Sequence, residues 1–128
     1  MTLITGGAYS GKTDFAIQYF NIECTDIIDG AECSLEQVFT CRAIRNFQLL
    51  VKRFGTENGA ALTEKIHREN PDLIVITNDI GSGIIPMEKS DRIWREETGR
   101  ACCAAAGFSD LVVRMCCGIP TAIKGELP

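Results

Sequence analysis

Residues 5–13 read TGGAYSGKT, and how these nine residues are read decides the fold. Residues 2–5 before them form a short β-branched run. Residues 12–21 after them carry Phe15, Ala16, Tyr19 and Phe20 at helical spacing. Strand, glycine loop and helix in that order is the context in which Gly6, four residues and Gly11-Lys12-Thr13 form a phosphate-binding loop. Each residue type has a task there. Glycines let backbone amides curl round phosphate oxygens, and the helix N-terminus adds partial positive charge. Lys12 neutralises β- and γ-oxygens, and the Thr13 hydroxyl helps to hold Mg²⁺. The whole stretch Gly6, Gly7, Ala8, Tyr9, Ser10, Gly11, Lys12 and Thr13 is therefore expected to cradle phosphate.

Outward from the loop, residues 26–29 read as a second buried strand, closed by Gly30. Ser34 and Gln37 have capping-box spacing. From there Leu35, Val38, Phe39, Ala43, Phe47, Leu50, Val51 and Phe54 fall on one stripe, which predicts a single long helix ending near Gly55. A shorter helix over 60–69 stops before Pro71. Residues 73–77, LIVIT, are apolar on both faces, as in a parallel strand sandwiched between helices. The loop GSGIIP follows at 81–86, then a helix over 88–106 with Trp94, Ala101 and Ala105 facing inward. Residues 110–115 and 119–123 flank a Cys-Gly-Ile-Pro corner and predict a closing β-hairpin. Alternating strands and helices of this kind give one three-layer α/β domain over residues 1–128, with a mostly parallel sheet.

Composition narrows the function. The chain has 128 residues, 45% hydrophobic and 23% charged, with no apolar run near the roughly 20 residues that span a bilayer. The first residues lack a basic start and a long apolar stretch, so no secretory signal is read and a cytoplasmic location is expected. A net charge of −4 without a basic stripe argues against nucleic acid. Seven cysteines, an odd number without Cys-x-x-Cys spacing, read as small hydrophobes filling helix and strand faces in a reducing compartment.

A phosphate-binding loop usually works with an acid at the end of a nearby strand, which holds Mg²⁺ or its water. Asp29 and Asp79 both end strands, on the rim where open α/β sheets bind ligands. Each could equally be a turn or cap residue. His67 reads as a solvated residue of an amphipathic helix. Arg92, Arg95 and Arg100 read either as phosphate partners or as a solvated face paired with Asp91, Glu96 and Glu97.

TGGAYSGKT, TNDIGSGIIP at 77–86, RIWREETGR at 92–100 and CGIPTAIK at 117–124 together resemble the adenosylcobinamide kinase/adenosylcobinamide-phosphate guanylyltransferase family of cobalamin biosynthesis. The resemblance implies a phosphate-loop α/β fold, a homotrimer, and GTP or ATP with Mg²⁺. It also implies a bifunctional enzyme that phosphorylates a corrinoid hydroxyl and then transfers GMP through a guanylyl-histidine. It marks Asp29 as the acid near Mg²⁺ alongside Thr13, gives Asp79 the role of metal partner or base, and brings Gly81 and Gly83 into the nucleotide site. The chain departs from the pattern as well. It is short, with no histidine between Thr13 and Asp29, so the guanylyl acceptor is missing and kinase activity is the most that is expected. Tyr9 stands where the family commonly has Arg, Asp79 where it has Glu, and Cys102-Cys103-Ala104 where it has Asn-Gln-Arg. The alternatives are a nucleotide-binding or regulatory homologue without catalysis, or a kinase for another small hydroxylated substrate.

Overall fold

The computed structural model describes residues 1–80 and 88–127. Within them the elements run β1 (Thr2–Gly6), α1 (Lys12–Phe20), β2 (Ile27–Asp29), α2 (Leu35–Val38), β3 (Ala43–Arg45), α3 (Phe47–Phe54), α4 (Gly59–Glu69), β4 (Ile74–Asn78), α5 (Lys89–Phe108), β5 (Leu111–Cys116) and β6 (Ile119–Lys124). The six strands form one sheet in the order β2-β3-β4-β1-β5-β6. All pairs are parallel except the C-terminal β5-β6 hairpin.

Alternation along the inner strands sorts the core into two layers. Leu3, Ile44, Val75 and Val112 face α3, α4 and α5, joining Phe47, Leu50, Val51, Leu62, Ile66 and Ala101. Ile4, Ala43, Ile76 and Val113 face the other way, against Ala16, Phe15 and Ile17 of α1. Phe47, Ile4, Ile44 and Ile76 are at most 2% exposed, and full burial of such a side chain contributes about 1.5–3 kcal/mol. Strand β1 therefore has helices on both faces and neighbours on both edges, and its C-terminal end delivers the glycine loop to the middle of the sheet rim.

The long helix expected over 35–54 does not form. Ser34 accepts from the Gln37 amide as the capping box requires, but α2 lasts only four residues. The chain then extends as β3, and Asn46, at φ +55° in the left-handed region, turns it into α3. The apolar stripe is nonetheless buried. Ala43 and Ile44 are wedged between β2 and β4, where an extended backbone finds ladder partners on both sides. The strand expected over 26–29 begins at Ile27, because Asp26 closes a short 3-10 turn, Cys24–Asp26. No helix among the described residues is long and apolar enough to cross a membrane.

Candidate functional site

The glycine loop is held at three points. The Asp79 amide donates to Gly6 O (2.8 Å), the Gly118 amide donates to Ser10 O (3.0 Å), and the Phe15 amide donates to Gly11 O (3.0 Å). Gly6 lies so close to the β5 backbone that a Cβ would stand 2.5 Å from Met115 O. Gly11 takes φ +90° as the residue that opens α1, which only glycine does without strain. Tyr9, at φ +59°, is fully exposed at the edge of the cleft that opens beside Lys12.

Lys12 is the first residue of α1 and is only 6% exposed. Its Nζ folds back over the loop and donates to Gly7 O (2.6 Å) and Ser10 Oγ (3.4 Å). Burial lowers its pKa, and the Asp79 carboxylate works against that shift. Among the described residues no carboxylate lies within 4.0 Å of this ammonium. Beside it opens a cleft of ≈ 580 Å³, lined by Ala8 to Asp14 of the loop and α1 and by Arg45, Asn46, Ile76 and Asn78 from the rim. That volume lies in the range of small-molecule sites.

The two acids read from the sequence stand in different surroundings. Asp79 follows β4, hydrogen-bonded beside β1, and its carboxylate accepts from Thr5 Oγ1 (2.9 Å) and Arg114 (2.9 Å). Asp29 ends β2, two strands further out. Its carboxylate accepts from the Ala31 amide (2.9 Å) and Asn46 Nδ2 (3.0 Å) and pairs with Arg45 at 3.3 Å. Burial pushes the Asp29 carboxyl up, but those donors together with Arg45 and Arg53 outweigh it and hold it below the ordinary carboxylate range. Asp29 does not line the cleft; Arg45 and Asn46, which it grips, do.

Arg45 and Asn46 are the functional candidates that the sequence reading missed. On a helix they belong to the polar face, whereas at the end of a short strand they reach the ligand rim. The available signal was the pair Ala43-Ile44 followed by a residue type, Asn, that tolerates the left-handed turn.

Among the other residues, Gly81 and Gly83 lie outside the described residues. Arg100 pairs with Glu96 (2.7 Å) and Glu97 (2.5 Å), the solvated-face reading. Half-buried Trp94 donates from Nε1 to Gln48 O at 2.7 Å. His67 is half-buried and stacked on Phe108 at 4.4 Å, which differs from the solvated side chain expected, since the end of α5 lies against α4 there. All seven cysteines are free thiols; Cys33 is buried and Cys41 and Cys102 half-buried, but Cys24, Cys103, Cys116 and Cys117 are exposed instead of filling element faces.

Thr13 lines the cleft with a hydroxyl of the hard-oxygen kind that a nucleotide-borne Mg²⁺ would take, and neither strand-end aspartate, Asp29 or Asp79, lines it. Among the described residues no three His, Cys, Asp or Glu side chains form a metal-holding group by themselves.

Residues 27–123 match the family model described as cobinamide kinase / cobinamide phosphate guanyltransferase. No curated protein matches the chain.

Proposed function

This chain belongs to the cobinamide kinase / cobinamide phosphate guanyltransferase family, and from that premise we propose that it binds GTP or ATP with Mg²⁺ and transfers the terminal phosphoryl group to a corrinoid alcohol. The observation that carries the reading is Lys12, a buried cation without a carboxylate partner among the described residues, beside an open cleft. A buried charge is costly until an opposite charge meets it, and phosphate oxygens meet it here. The match at 27–123 leaves out the glycine loop, so family membership and loop geometry support the reading independently.

In this proposal the amides of Gly6, Gly7, Ala8, Tyr9, Ser10 and Gly11 face the phosphates. Lys12 takes their charge, and Thr13 with one acid would hold Mg²⁺, which would supply further neutralisation of the phosphate charge. Of the two acids, Asp79 is favoured as metal partner or base. It follows the strand beside β1, and its charge is felt by Lys12; its carboxylate has two donors, Thr5 and the exposed Arg114, whereas that of Asp29 has three and lies two strands further out. Asp29 then serves the site by holding Arg45, a second cation at the cleft. Gly81 and Gly83 belong to the same nucleotide site, and a homotrimer in the cytoplasm belongs to the same proposal.

Phosphoryl transfer rests on positioning and charge neutralisation, so the kinase reaction proceeds without a histidine. A guanylyl-histidine intermediate needs an imidazole at the phosphates, and His67, the chain's one histidine, lies on α4 against Phe108. Purified protein incubated with adenosylcobinamide, Mg²⁺ and ATP or GTP is expected to yield a phosphorylated corrinoid and no GMP adduct on the protein, read by mass spectrometry. A GMP adduct overturns the second clause, and nucleotide binding without any turnover turns the reading to a non-catalytic homologue.

A further inference from the structure

A second, smaller cavity lies under α5, on the opposite face of the sheet from the α1 layer. Its volume is ≈ 180 Å³ and its walls include Thr77 and Asn78 of β4, Asp79, Arg95, Thr98 and Cys102. Thr98 is 3% exposed, and its Oγ1 has no hydrogen-bond partner among the described residues. A helical threonine ordinarily returns its hydroxyl to the carbonyl one turn back. Native folds rarely leave a buried hydroxyl orphaned, and such a group asks for an explanation by something not yet bound.

At ≈ 180 Å³ the cavity is too roomy for one bridging water to fill and too small for a macrocycle, so a short arm is what fits. The walls say what that arm carries. The Cys102 thiol, pushed up to about 11 by burial, stays neutral, so the cavity combines one carboxylate, one guanidinium and several neutral donors and acceptors. A hydroxyl suits these walls because it donates to a carboxylate and accepts from the Thr98 hydroxyl at once. Asn78 lines both this cavity and the phosphate cleft, so the two open on either side of one residue at the sheet rim.

We propose that this cavity receives the hydroxyl-bearing arm of the phosphoryl acceptor, with the Thr98 Oγ as its buried hydrogen-bond partner and Asp79 at the reacting hydroxyl. The inference rests on the kinase reading above and assigns it an acceptor subsite. The bulk of the acceptor stays outside, and only the arm enters.

Binding of adenosylcobinamide, measured by equilibrium dialysis in the presence of Mg²⁺ and a non-hydrolysable ATP analogue, tests the assignment. Thr98→Val keeps the shape and removes only the hydroxyl, and it is expected to weaken corrinoid binding about five- to tenfold. Its affinity for the analogue stays unchanged, and its melting temperature is no lower than that of the wild type. Gly99→Leu grows a side chain from the cavity wall where a Cβ meets nothing within 4 Å, and it is expected to weaken corrinoid binding more than tenfold while still binding the analogue. Wild-type binding that both variants retain overturns the subsite and leaves the kinase reading standing. A wild type that binds the analogue but no corrinoid overturns both.

Discussion

The β2 end and the β4 end of the sheet look alike in sequence, each a short apolar strand with an aspartate at or just past its end, and the fold gives the two acids different surroundings. At the β4 end, Asp79 stands beside the glycine loop, tied to Thr5 and Arg114 and coupled to Lys12. At the β2 end, Asp29 turns inward along the rim and clamps Arg45 and Asn46. Each acid pairs with an arginine, but only Asp79 stands beside the glycine loop. Position in the strand order, more than the residue type, decides which acid can act.

Substitutions at three positions bear on this contrast, beginning with the largest expected effect. Lys12→Ala removes the buried cation of the glycine loop, to which the Asp79 end is coupled. Saturating nucleotide at a hundredfold over Kd is expected to stabilise the wild type by about 2.7 kcal/mol, a melting shift of several degrees, and the variant is expected to lose that shift entirely. A preserved shift breaks the phosphate-loop reading. Asp79→Asn is expected to lower kcat by about 10²–10³-fold while the nucleotide Kd changes less than about threefold, read by steady-state kinetics and calorimetry. If Asp29→Asn shows that pattern instead, the roles of the two ends are exchanged.

Asp29→Ala is expected to act on the fold first, costing about 1 kcal/mol because the carboxylate is partly solvated, with nucleotide affinity falling about threefold through the loosened Arg45. Its signature is in the pH dependence. The Asp29 carboxyl is held below its usual value of 3.8. Glu97 lies below 4.5, through the Gly59 amide and then Arg100. Both contributions to stability are fully present above those values and disappear as pH falls through the lower folded-state ones. Urea unfolding between pH 5 and pH 2.5 is expected to show this loss in the wild type and a shallower slope in Asp29→Ala. Parallel slopes remove the clamp from the account.

Much of the fold was legible because local and global preferences agree. The loop from Gly6 to Thr13 lies between a real strand and a real helix, LIVIT forms the buried β4, and the Cys-Gly-Ile-Pro corner turns the β5-β6 hairpin. The misreading at 35–54 has a specific origin. Ala43 and Ile44 fit a helical stripe as well as they fit a buried strand, and three residues are too few for a period of two to separate from 3.6. That error hid Arg45 and Asn46. The Thr98 cavity left no mark in the sequence at all, because an unpartnered hydroxyl is a property of its surroundings and not of threonine.

The Ser10-Gly118 hydrogen bond has a consequence in time. It joins the glycine loop to the turn of the last hairpin, about a hundred residues later in the chain. Strand β1 likewise gains its neighbours only when β4 and β5 arrive. During synthesis at about 5–20 residues per second, the loop waits roughly 5–20 s for the partner that closes it. The loop is thus made well before the hairpin turn that fixes it, and its closed form is a late event in the life of the nascent chain.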